Sequence, residues 1–75
     1  FSSAAPLESL GLTPREAEVL LWIAQGKTNS EISTILGTSD NTVKKHTQHI
    51  FEKLGLDTRH AATALAFEKL ARGAV

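Results

Sequence analysis

Cysteine, methionine and tyrosine are absent from this chain of 75 residues. Without cysteine, neither a disulfide nor a thiolate metal site can staple a small fold. Stability must then come from apolar packing, with a partner copy as the available help. A domain this short buries only roughly 60% of the surface its unfolded chain exposes. No apolar run approaches the ~18 residues of a membrane span. The opening FSSAAP lacks both the basic start and the apolar core of a secretory signal. No alternating apolar–polar run of useful length suggests a strand pair. There is no internal repeat and no excess of charge, since eight Lys and Arg balance eight Asp and Glu. These absences leave one compact helical domain, and the lack of cysteine fits the cytoplasm, where we expect it. The chain begins with Phe1 rather than Met. Residues 1–10 read as a linker from an upstream domain, docking loosely through Leu7, Leu10 and Leu12, and residues 11–73 as the domain itself.

The charge is balanced but not evenly spread. Residues 1–40 carry a net −3, whereas residues 41–75 carry +3 and all three histidines. A basic half is a pointer to a polyanion, although a solvated charged surface gives the same asymmetry. Punctuation divides the chain into four helices. Thr13-Pro14-Arg15-Glu16 has a capping residue, proline at the first helical position and the acid of a capping box. Gln25-Gly26 ends that helix, whose buried stripe is Val19, Leu20, Ile23 and Ala24. Thr28-Asn29-Ser30-Glu31 opens the second helix with another capping box. It stops at Gly37, and Ile32, Ile35 and Leu36 form its expected apolar stripe. The third helix begins near Ser39 and runs to Leu54, with Gly55 as its stop. The fourth runs from Thr58 to about Arg72 and is rich in alanine.

The short second helix, tight turn and longer third helix have the layout of a helix-turn-helix. At 3.6 residues per turn, Val43, Thr47, Ile50 and Leu54 share one side of the third helix. Asn41, Lys45 and Gln48 lie opposite, with Lys44 and His49 flanking them. The outward side of its first half is therefore all donors or long polar arms. Such groups suit base edges, because lysine donates to guanine O6 and N7 while Gln or Asn pairs with adenine. An ordinary solvated helix face has the same pattern. Glu52 also faces outward, beyond the basic cluster.

Three runs carry a resemblance. They are Leu12-Thr13-Pro14-Arg15-Glu16 with Val19-Leu20 and Gly26 to Ile32, then Leu36 to Ser39 with Thr42 to His46, then Lys53 to Leu56 with Thr58 to Ala62. Together they resemble the LuxR/FixJ-type DNA-binding domain, in order and without gaps over about residues 12–66. The resemblance implies an all-α, four-helix bundle containing a helix-turn-helix, which binds double-stranded DNA as a homodimer and regulates bacterial transcription. It implies that the third helix enters the major groove and the fourth supplies the dimer contact. The family's base-reading positions fall on Lys44, Lys45 and Gln48, with Asn41 added from the helix face. Its phosphate-contacting positions fall on Lys27, Thr28, Asn29, Thr42 and Lys53, and further on Ser39, His46 and Arg59. Such domains follow a receiver or ligand-sensing domain, and RNA polymerase is a further partner. Two residues depart from the pattern. Trp22 stands where the family has a smaller aliphatic, and Asp40 favours the helix dipole but would repel a nearby phosphate.

On the fourth helix, Ala61, Ala64, Leu65 and Glu68 form an outward strip suited to dimerisation, while Ala62 and Ala66 face the core. His46 and His49 lie three apart without convincing further ligands, so no metal or cofactor is expected. Ser, His and Asp occur without a motif joining them, and catalysis is not expected. Trp22 reads as partial core or interface surface. The competing reading from another class is a protein-interaction module of the same fold with weak or lost DNA contact, which neutral net charge and Asp40 would suit.

Overall fold

Two reciprocal capping boxes start the first two long helices in the computed structural model, which describes residues 3–73. The elements are α1 (Ala5–Glu8), α2 (Pro14–Ala24), α3 (Asn29–Leu36), α4 (Asp40–Leu54) and α5 (Arg59–Gly73). Thr13 Oγ1 accepts from the Glu16 N–H at 3.2 Å, and Glu16 Oε1 accepts from the Thr13 N–H at 2.9 Å. Thr28 and Glu31 repeat the exchange at 3.1 and 2.9 Å. Each box satisfies two N–H groups that the start of a helix leaves free. Ser39 caps α4 by accepting from the Thr42 N–H, and Thr58 Oγ1 accepts from the Ala61 N–H at the start of α5.

The stops follow the glycines. Gly37 and Gly55 take the left-handed conformation, at φ 67° and 64°. The chain then closes on itself, with the Thr38 N–H bonded to Ser33 O and the Leu56 N–H to Phe51 O. A side chain at either glycine would be strained by the positive φ.

Helix α2 is the hub and touches all four of the others. Its Val19 and Leu20 are wholly buried, and Ile23 is nearly so. Ile32 of α3, Val43 and Ile50 of α4, and Ala62, Ala66 and Leu70 of α5 close on them. Trp22 is partly buried against this core. The fold is all-helical, with α3, the turn through Thr38 and α4 forming the helix-turn-helix.

Two local expectations are corrected. Within the segment read as a loosely docked linker, one helical turn forms, with Pro6 in its first turn, and Leu7 is wholly buried. α1 packs on α2 and α5, so burial of one leucine folds the segment onto the bundle. Ile35, placed in the buried stripe of α3, is 44% exposed. Ile32, Ser33 and Leu36 take the inner arc of that helix, and Ile35 falls off its edge. Ser33 is buried with a partner for its one hydroxyl proton, since Ser30 O and the Asp40 carboxylate both lie within reach to accept it.

Candidate nucleic-acid interface

The capped start of α4 and its two wholly buried residues, Val43 and Ile50, fix how the helix is rotated on the bundle. Asn41, Lys44, Lys45 and Gln48 are consequently all exposed. Among the described residues, none of the four makes a side-chain hydrogen bond or ion pair. A ligand therefore need not break one of these contacts to reach them. α4 has 15 residues, or about 22 Å at ~1.5 Å per residue. That length fits along a major groove about 12 Å wide.

Asp40, which the sequence left as a source of repulsion, is tied to Ser33 across the turn. This bond joins α3 to the first turn of α4 and holds the carboxylate to the protein. Glu52 is exposed on the same helix beyond the donor cluster.

The eight candidate phosphate contacts differ in their surroundings. Lys27 is half-buried at the turn before α3. Thr28, Ser39 and Thr42 serve as caps or cap partners, since Ser39 Oγ lies 2.9 Å from Thr42 Oγ1. Capping and phosphate contact are compatible for a hydroxyl, which has a donor and two lone pairs. Asn29, Lys53 and Arg59 make intramolecular hydrogen bonds, with Lys53 still exposed and the other two half-buried. Arg59 donates to Asn29 Oδ1 and to Lys27 O. His46 is half-buried on α4.

Lys53 donates to Glu16 Oε1 at 2.7 Å, and His49 Nδ1 is 3.7 Å from Glu16 Oε2. Glu16 is only 4% exposed. Burial raises its pKa, but the Lys53 hydrogen bond, the Thr13 bonds and the Lys53 charge together outweigh it and hold the carboxyl below its ordinary value. A depressed carboxyl pKa stabilises the fold above the unfolded value, about 4.3. That stability is lost as pH falls through the folded value. Glu16→Gln should therefore cost about 1–2 kcal/mol at neutral pH. Melting curves of both proteins should converge as pH drops below about 4. A gap between them that stays constant with pH would show that the charge of Glu16 contributes nothing.

On α5, Ala64 and Glu68 are exposed while Ala61 and Leu65 are half-buried. Glu68 also pairs with Arg72 at 2.9 Å. Phe67, three residues beyond Ala64, is 43% exposed. Among the described residues no group of three or more His, Cys, Asp or Glu is placed to hold a metal. No helix there is long and apolar enough to cross a membrane.

An exposed polar helix on a capped helix-turn-helix fits the comparison with known families. Residues 10–66 match the family described as bacterial regulatory proteins, luxR family. The chain belongs to that family. Its α3–turn–α4 unit has the helix-turn-helix layout expected of a luxR-family domain. The domain is 48% identical over 66 residues to the HTH-type quorum sensing-dependent transcriptional regulator RpaR of Rhodopseudomonas palustris, covering 88% of this chain and 27% of that one. It is 48% identical over 60 residues to the probable transcriptional regulatory protein SgaR of Hyphomicrobium methylovorum, covering 80% and 28%. It is 43% identical over 63 residues to the nitrate/nitrite response regulator protein NarP of Escherichia coli, covering 84% and 28%. This luxR-family chain thus spans little more than a quarter of the length of these relatives.

Three ties escaped the sequence reading, namely Glu16–Lys53, Ser33–Asp40 and Arg59–Asn29 with Lys27. Glu16 already had a role in its capping box, and nothing local pointed to a lysine 37 positions on. Ser33 sat beside an apolar stripe without fitting it, which was the one available signal for its burial.

Proposed function

We propose that this domain binds duplex DNA sequence-specifically, with α4 in the major groove and two copies paired through α5. The supporting observation is the exposed row of Asn41, Lys44, Lys45 and Gln48, unpaired among the described residues, on a helix anchored by Val43 and Ile50. Lys44, Lys45, Gln48 and Asn41 read base edges. Lys27, Thr28 and the first turn of α3 meet the backbone, where free helix N–H groups and a cation both favour a phosphate. Ser39, Thr42 and His46 flank the groove from α4. Ala61, Ala64, Leu65 and Glu68 face the second copy. The two copies would read half-sites about one helical turn, ~34 Å, apart.

The relatives' names point to longer regulators. On that basis this chain is the DNA-binding part of a cytoplasmic transcription regulator, joined through residues 1–10 to a receiver or sensing domain and acting on RNA polymerase. Its role does not involve catalysis.

Selection of bound duplexes from a random library, followed by a salt titration on the winner, tests the reading. Binding should weaken steeply with salt, since released counterions drive phosphate contact. Lys27→Ala should weaken all sequences alike and reduce the slope of log K against log[salt] by about 1. An unchanged slope removes Lys27 from the interface. No enriched duplex, with no salt-sensitive binding, would favour an interaction module that has lost DNA contact.

A further inference from the structure

Arg59 opens α5, yet its guanidinium reaches back to the turn before α3. Nη1 donates to Asn29 Oδ1 at 2.8 Å, and Nη2 donates to the carbonyl of Lys27 at 2.7 Å. These two acceptors flank Thr28, the cap of α3. A guanidinium has only donors, so the Asn29 amide must face it with oxygen. The amide nitrogen, with its two donors, is thereby held on the side away from Arg59. One turn on, the Thr63 hydroxyl sits 3.1 Å from Arg59 O and 3.4 Å from Ile23 O, which ties α5 to the end of α2 as well.

We propose that Arg59 is a positioning residue that fixes the Asn29 amide flip and the Lys27–Asn29 turn, so that donors rather than oxygens are offered to a DNA phosphate. The inference rests on the assignment of that turn to the DNA backbone, and it differs from a direct phosphate contact by Arg59. With both bonds made, two of the five guanidinium N–H donors, one on each terminal nitrogen, are committed to the protein. A lysine supplies the charge but not the planar pair of donors. An aspartate at position 29 keeps an oxygen for Arg59 while removing the NH2 group.

The test measures affinity and salt slope on a library-selected duplex for the wild-type chain, Arg59→Lys, Arg59→Gln, Asn29→Ala, Asn29→Asp and the Arg59→Gln/Asn29→Ala double variant, with a melting curve for each. Arg59→Lys and Arg59→Gln should each weaken binding about fivefold or more, roughly the worth of one hydrogen bond. The salt slope should stay at the wild-type value. The double variant should bind no worse than about the weaker single one. Asn29→Asp should melt near the wild type and bind worse than Asn29→Ala, which keeps the test open should an Arg59 variant unfold. Three results overturn the proposal: wild-type affinity in Arg59→Lys combined with a slope lower by about 0.9 in Arg59→Gln, which marks a direct phosphate contact; additive losses in the double variant; or wild-type binding by Asn29→Asp. A wild-type chain without salt-dependent duplex binding defeats the DNA reading itself, and the positioning role with it. Any of the other three, on a wild-type chain that binds, defeats the positioning role alone.

Discussion

Ile50→Ala should destabilise the domain by about 2–5 kcal/mol, because it deletes a buried side chain and leaves a cavity. Ile50 is wholly buried, packed with Val43 against the hub helix α2. A chain of this size has roughly 0.05–0.15 kcal/mol of stability per residue. The substitution therefore removes a large share of the total. In a thermal melt followed by circular dichroism, each kcal/mol moves the midpoint by about 4–8 °C. Ile50→Val should cost only about 0.5–1.5 kcal/mol. Ile35→Ala, at a residue 44% exposed, should change stability by no more than about 1 kcal/mol. Equal losses from the two alanine substitutions would mean that the inner face of α4 is not where Val43 and Ile50 place it.

Lys45→Ala should have the reverse profile, with stability unchanged and recognition lost. Lys45 is exposed and has no side-chain partner among the described residues, so its removal leaves the core and the caps of α4 intact. On the preferred duplex the cost should be about 1–3 kcal/mol, the value of a good base contact. That is a weakening of about 5- to 150-fold. On a scrambled duplex the loss should be much smaller, so the preference relaxes. A direct comparison of the two duplexes at fixed salt checks this. Equal weakening on both would reassign Lys45 to the phosphate backbone.

Helix boundaries and the exposed polar side of α4 were legible in the sequence because local rules govern them. Thr13, Thr28 and Ser39 cap, Gly37 and Gly55 stop, and Val43 and Ile50 recur at helical spacing. The expected helices end within a residue or two of those observed. Where contacts between distant segments decide, the sequence was silent. Leu7 looked like part of a linker because a single helical turn carries no periodicity, and only its packing on α2 and α5 orders it. Ile35 matched the apolar spacing of α3, but the arc that meets α2 and α4 runs through Ser33. The family resemblance put Lys53 and Arg59 among the phosphate-contacting positions. Each instead finds an acceptor more than 29 positions away, on Glu16 and on Asn29 with Lys27. The base-facing candidates were easier to place than the backbone-facing ones for the same reason. The former depend on the rotation of one helix, and the latter on how four segments meet.

Methylation interference on a library-selected duplex bears most directly on the placement of α4. Guanine N7 lies in the major groove and is the atom a lysine would approach, whereas adenine N3 lies in the minor groove. Methyl groups at N7 within each half-site should block binding, and those at N3 there should not. Binding indifferent to N7 methylation but abolished by N3 methylation would take α4 out of the major groove.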